Sequence, residues 1–183
     1  MIQSFRPCKN PIYLVRGVSG SGKSTFAKRL LEALGKVLGC TDSALYETDD
    51  FWVKGDSYDF DRDLLAIAHN WTLGRVCKHC RDFKDSPVIV ANTFCEWEEI
   101  HPYFNLARKF GRWLVILEMT NAPGDVWKET GKVIANAHNV PEEAVRSQMW
   151  RFNHGLDSIK VNQDNWKAVI EELMKQHRKA LRK

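Results

Sequence analysis

Residues Gly17-Val18-Ser19-Gly20-Ser21-Gly22-Lys23-Ser24 match the pattern G-x-x-x-x-G-K-[ST] at every fixed position. The chemistry asks for these residue types. Glycines let the backbone curl so that successive N–H groups converge on one anion. A helix starting at the end of the loop adds about half a positive charge. Lys23 supplies a point charge to the β- and γ-phosphates, and the Ser24 hydroxyl is a ligand for Mg²⁺. The stretch Gly17, Ser19, Gly20, Ser21, Gly22, Lys23, Ser24 and Thr25 therefore reads as the site of a nucleoside triphosphate with Mg²⁺.

A second constellation is the carboxylate pair Asp49-Asp50. At a strand end adjacent side chains diverge, so the two take different tasks. One accepts a proton from a hydroxyl that attacks the γ-phosphate. The other binds the water shell of Mg²⁺, or an arginine. A switch GTPase would need a base-reading N-K-x-D, which the chain lacks. A motor ATPase usually carries Asp-Glu after a hydrophobic strand, where this chain has Asn92-Thr93. Phosphoryl transfer to a small acceptor is the remaining expectation.

These residues need a scaffold, and the apolar pattern supplies one. Ile12–Val15, Ala44–Thr48, Pro87–Ala91 and Trp113–Met119 read as strands. Helices are expected over Ser24–Leu38, with Phe26, Leu30, Leu34 and Val37 on one face, and over Asp61–Phe83, N-capped by Asp61. Further helices are expected over Trp97–Phe110, Pro141–Phe152 and Trp166–Leu181. The strand runs are continuously apolar, as in a parallel sheet covered on both faces. Ligands of such sheets bind beyond the carboxyl ends of the strands. Gly17–Ser24, Asp49–Trp52, Asn92–Glu96 and the segment from Thr120 onward are therefore the places to look.

The chain has 183 residues, enough for one α/β domain. No run of about 18 apolar residues is present, and the polar start, Met1 to Lys9, lacks the apolar core of a signal peptide. The formal net charge is +4, and Lys167–Lys183, with six cations against two anions, accounts for all of it. A basic final helix over about 166–183 either steers the protein to a polyanion or is merely solvated. Five scattered cysteines, Cys8, Cys40, Cys77, Cys80 and Cys95, fit a reducing cytosol rather than a disulfide framework. The lone Cys77-Lys78-His79-Cys80 reads as two helix-face cysteines, since a structural zinc site would need further ligands. Among the aromatics, Phe60 and Trp71 are expected in the core. Trp52 and Tyr58 sit beside a polar, Gly-containing stretch and are candidates for stacking on a base.

The ordered set GVSGSGKST, ETDDFW, Tyr58-Asp59-Phe60-Asp61, Ala68-His69-Asn70-Trp71 with Arg75, SPVIVANT, Pro102-Tyr103 with Leu106-Ala107, and Asn136-Ala137-His138-Asn139-Val140-Pro141 resembles the P-loop kinases of the Nedd4-binding-protein-2 type. These are relatives of phage and mammalian polynucleotide 5′-kinases, and the resemblance covers about residues 11–152. It implies an ATP-dependent phosphotransferase acting on a nucleic-acid or nucleotide hydroxyl. The family's general base falls on Asp49, and its P-loop cation and hydroxyl fall on Lys23 and Ser24. Asp50 is then the carboxylate expected at the metal. Trp52, Tyr58, Arg75, Asn92 and Thr93 are expected to line the acceptor.

The chain departs from the pattern at three places. Trp52 stands where the phage kinase grips its acceptor with an arginine. Asn92 replaces an aspartate at the end of the third strand. Ile134 and Ala135 replace the lid arginines that contact ATP, leaving Lys128, Lys132, His138 and Arg146 as candidates in a lid over about 121–152. His69 is expected to pack or hydrogen-bond beside the cleft. The expected protein is thus a cytoplasmic, single-domain, three-layer α/β P-loop kinase with a parallel sheet and a helical lid. ATP and Mg²⁺ are its expected cofactors, and a DNA or RNA 5′-hydroxyl its acceptor. A hydroxymethyl group on a modified base, or a nucleoside, is an alternative acceptor. An ATP-gated nucleic-acid binding module is the alternative of another class.

Overall fold

The computed structural model describes residues 9–39, 41–55, 57–120, 140–153 and 155–182. The glycine loop lies between β1 (Ile12–Arg16) and α1 (Lys23–Leu38). The chain continues through β2 (Ala44–Glu47), a 3₁₀ turn (Thr48–Trp52) and a short hairpin, β3 (Val53–Lys54) and β4 (Ser57–Tyr58). A second 3₁₀ turn (Arg62–Leu64) leads into α2 (Leu65–Asp82). Then come β5 (Val88–Asn92), α3 (Trp97–Lys109), β6 (Leu114–Met119), α4 (Glu142–Arg151), β7 (Ile159–Val161) and α5 (Trp166–Leu181).

Five strands form one parallel sheet in the order β2-β5-β1-β6-β7. β1, the strand that launches the glycine loop, is central and wholly buried. Its side chains alternate between two cores, as period-two geometry requires. Tyr13 and Val15 pack with Phe26, Leu30 and Leu34 of α1 and Val169, Leu173 and Met174 of α5. Ile12 and Leu14 pack on the other face with Val76 of α2 and Ile100 and Tyr103 of α3. The result is the expected three-layer α/β kinase-type fold.

Three details differ from the sequence expectation. β7 was not foreseen, because Ile159-Lys160-Val161 is too short to signal a strand; its two apolar residues are buried and Lys160 faces water. The β3–β4 hairpin was also missed; Gly55, at φ 63°, turns it. Asp61 caps by accepting from the Asp63 amide at 2.9 Å, but it starts a 3₁₀ turn rather than α2 itself.

At the foot of the sheet the Arg112 guanidinium donates to the carbonyls of Asn10, Cys80, Phe83, Lys84 and Ser86. It pins the end of α2 to the start of β6. Also low in the sheet, buried Tyr13 and His177 are hydrogen-bonded at 2.5 Å. α5 therefore runs downward from β7, and its cations Arg178, Lys179 and Arg182 lie at the pole opposite the glycine loop. Among the described residues no helix is long and apolar enough to cross a membrane.

Candidate active site

The glycine loop has the shape its residues require. Gly17 donates its N–H to Thr93 O at 3.2 Å, and a Cβ at Gly17 would stand 2.6 Å from Ser21 Oγ and 3.0 Å from Met119 Cβ. No larger residue fits. Gly22 caps α1 in the left-handed region at φ 86°, with no side chain capping the helix. The first-turn amides of α1 are thus open to an anion, as a phosphate cradle requires. Lys23 Nζ folds back onto Val18 O at 3.0 Å. Burial pushes its pKa down to about 8, against the opposing pull of the Asp49 and Glu47 charges. A desolvated ammonium beside open amides fits a polyphosphate.

The second wall is the turn after β2. Glu47 and Asp50 form a reciprocal capping box around its start. Ser24 Oγ donates to Glu47 Oε1 at 2.5 Å. Glu47 lies outside both the glycine loop and the Asp49-Asp50 pair, so neither motif marks it. Asp50, expected at the metal, instead accepts from Arg75 Nη1 at 2.9 Å. The carboxylate beside the Ser24 hydroxyl is Glu47, and both are hard oxygen donors of the kind Mg²⁺ takes.

Asp49 is half-buried and accepts from the Tyr58 hydroxyl at 3.2 Å. Burial, followed by the Asp49 charge, pushes the Tyr58 hydroxyl well above its ordinary range, so it stays a donor. His69, also half-buried, feels the Asp49 and Glu99 charges, although burial dominates and lowers its pKa. Tyr58 thus contacts Asp49 directly, while His69 feels its charge.

Two acceptor-side expectations fail. Trp52 is 2% exposed, edge-on to Phe51 and Phe60 at centroid separations of 4.8 and 5.1 Å, so it is a core residue unavailable for stacking. Asn92 is buried; its Oδ1 accepts from Thr48 N at 2.9 Å and its Nδ2 donates to Thr48 Oγ1 at 2.7 Å. It ties the end of β2 to β5 rather than touching a ligand. Thr93, half-buried, supports Gly17 through its carbonyl.

The aromatics expected in the core are the accessible ones. Phe60 is 52% and Trp71 39% exposed. Arg75 lies between the rings of Tyr46 and Trp71, its Cζ 4.6 and 4.4 Å from their centroids. Cys77 and Cys80 are free thiols on α2, and burial pushes that of Cys80 up to about 11.

The lid candidates Lys128, Lys132 and His138 lie outside the described residues. Arg146, on α4, donates to Glu142 one turn earlier. A different α4 residue reaches the loop: Gln148 Oε1 accepts from Ser19 N at 2.8 Å. Below it, Met149 and Phe152 pack on Val18 and Cys95. Buried Arg16 donates to Asn153 O at 2.9 Å and Cys95 O at 3.1 Å, with its Cζ 4.0 Å from the Phe152 ring centroid. Burial lowers the Arg16 pKa against the pull of nearby Glu118, whose own carboxylate also meets Lys160 at 2.6 Å.

With this geometry in view, the relatives are informative. A family model described as an AAA domain matches residues 12–159. Human NEDD4-binding protein 2 is 32% identical over 143 residues, 77% of this chain but only 8% of that protein's length. Among solved structures, Kti12 from Chaetomium thermophilum in complex with ADP-AlF3 superposes with a TM-score of 0.63 at 11% identity, covering 93% of this chain and 98% of that one. A gluconokinase from Sinorhizobium meliloti 1021 gives 0.56 at 15% identity over 96% and 94%. The Mycobacterium tuberculosis APS kinase CysC with AMPPNP and APS gives 0.57 at 15% identity over 93% and 98%. At these identities the solved structures speak for the fold. The family match spans most of the chain, and with the intact glycine loop on a kinase-type parallel sheet the conclusion is that this chain belongs to the AAA-domain family of P-loop proteins.

Proposed function

We propose that the protein is an ATP-dependent kinase transferring the γ-phosphate to a nucleic-acid hydroxyl, most simply a polynucleotide 5′-OH. The observation that carries this reading is the placement of Asp49. It lies in the 3₁₀ turn after β2, the strand two places from β1, near enough to the glycine loop for its charge to act on Lys23, and it is held by Tyr58. The gluconokinase and the APS kinase that share this fold support a phosphotransferase; the polynucleotide acceptor rests on the motif resemblance.

In this reading the first-turn amides of α1 and Lys23 hold the triphosphate. Asp49 accepts the proton of the acceptor hydroxyl as its oxygen bonds the γ-phosphorus. The bond from that phosphorus to the β–γ bridging oxygen breaks, and ADP leaves. Ser24 and Glu47 are the residues that would hold Mg²⁺, which supplies charge neutralisation at the phosphates. Arg75, clamped by two rings and Asp50, and the exposed Trp71 form the acceptor side. A stacked base there is worth about 1–3 kcal/mol.

The test is transfer of labelled γ-phosphate from ATP into 5′-OH oligonucleotides, modified-base DNA and nucleosides. Label in the oligonucleotide ends is the expected result. Label only in a nucleoside or modified base moves the acceptor. ATP binding with transfer to none of them leaves a binding module.

A further inference from the structure

Gln148 sits in an otherwise apolar stripe. Val145, Gln148, Met149 and Phe152 follow the i, i+3, i+4, i+7 spacing that turns one helix face inward. Val145 and Phe152 are buried, and Met149 packs against the small core beneath the glycine loop. A leucine would fill the position without the cost of desolvating a carboxamide. The carboxamide is instead spent on the loop, its Oε1 receiving the Ser19 N–H. Ser19 precedes the first-turn amides of α1, so this contact leaves those amides open. An amide whose oxygen is engaged keeps two N–H donors on the same small group.

The contact is also rigidly placed. Arg16, at the last position of β1, holds the chain beyond α4 through Asn153 O and lies against the Phe152 ring. Asn153 N donates to Cys95 O at 2.8 Å, and Arg151 meets Glu96 at 3.7 Å. The end of α4 is therefore fixed to the strand that carries the loop. A preorganised donor at the edge of a phosphate cradle can meet a phosphate's charge without reorganisation.

We propose that Gln148 is a γ-phosphate-binding residue of this site: its carboxamide NH₂ donates to the γ-phosphate of bound ATP, while its oxygen is held by Ser19. It supplies from α4 a neutral donor at the edge of the glycine loop. This inference rests on the ATP site proposed above.

The test is calorimetric binding of ATP and ADP, with Mg²⁺, to the full chain and to Gln148→Met and Gln148→Glu. Methionine keeps the volume and removes both the donors and the acceptor. A hydrogen bond to a charged group is worth about 10- to 100-fold in affinity. Gln148→Met should lose that factor for ATP while ADP affinity stays within about twofold. Gln148→Glu keeps the acceptor for Ser19 and should weaken ATP at least as much. Equal losses for ATP and ADP would make Gln148 a prop for the loop and overturn the proposal. So would unchanged affinities. Tighter ATP binding by Gln148→Met would mean that Gln148 competes with the phosphate, which also overturns it. Failure of the unaltered chain to bind either nucleotide would instead sink the ATP reading beneath it.

Discussion

Ser24 and Glu47 meet at 2.5 Å, joining the first turn of α1 to the last residue of β2. The hydroxyl and the carboxylate proposed to hold a divalent ion are thereby in direct contact. Partners that orient metal ligands typically contribute 10–100-fold in metal affinity. Glu47→Gln should therefore raise the Mg²⁺ concentration needed for half-maximal ATP binding by roughly tenfold or more. Asp50→Asn should not, since its carboxylate faces Arg75. A Mg²⁺ titration of nucleotide binding separates the two; a shift in Asp50→Asn alone would return the metal to Asp50.

Asp49→Asn keeps size and the contact with Tyr58 but removes the proton acceptor. Turnover should fall by about 10²–10⁴, the range for general base catalysis. ATP affinity should change little at neutral pH. The check is single-turnover transfer beside equilibrium binding on the same preparation. Loss of binding with intact chemistry would reassign Asp49 to the nucleotide.

Lys23 carries a pH signature. Its folded-state pKa is lowered to about 8, chiefly by burial. Phosphate binds the ammonium form, so affinity is unaffected by this group well below pH 8. Above it, each further unit leaves about tenfold less of the charged form. ATP binding should accordingly weaken between pH 8 and 10 and take up a proton, measured by calorimetry in buffers of different ionisation heat. Lys23→Met should bind weakly with that dependence gone.

Trp52 is a core side chain, so its loss should be read in stability. Trp52→Ala should cost about 3–5 kcal/mol, as buried large-to-small changes do. At the scale of this chain each kcal/mol lowers Tm by roughly 2–4 °C. Trp71→Ala should leave Tm nearly unchanged and raise KM for the acceptor. Thermal melts of both variants decide it. An unmoved Tm with a raised acceptor KM in Trp52→Ala would restore the stacking role.

The glycine loop and the four long strands were legible because each is coded locally. A phosphate cradle needs particular residues at fixed spacing, and a strand buried on both faces must be continuously apolar. The roles of Trp52, Asn92 and Asp50 were not, because they depend on partners far along the chain. Asn92 is spent on Thr48, forty-four positions away, and Asp50 on Arg75, twenty-five away. Trp52 and Trp71 differ in accessibility through packing among Phe51, Phe60 and Arg75, which no periodicity encodes. Gln148 carried one signal: a polar residue inside an apolar helical stripe. β7 carried almost none, for its three residues become a strand only against β6.

The descent of α5 away from the glycine loop gives the protein a built-in ruler. Sixteen helical residues at about 1.5 Å each span roughly 24 Å, which sets the cationic tip of α5 at the far end of the sheet from the glycine loop. A polyanion engaging both poles must be long enough to run that distance along the outside of the molecule. At about 3.4 Å per nucleotide of stacked strand, that is on the order of seven nucleotides. Under the proposed function, strands shorter than this would meet the cleft alone. If the acceptor is a polynucleotide as proposed, the salt slope of its binding should steepen beyond that of a nucleotide once the strand reaches Arg178, Lys179 and Arg182.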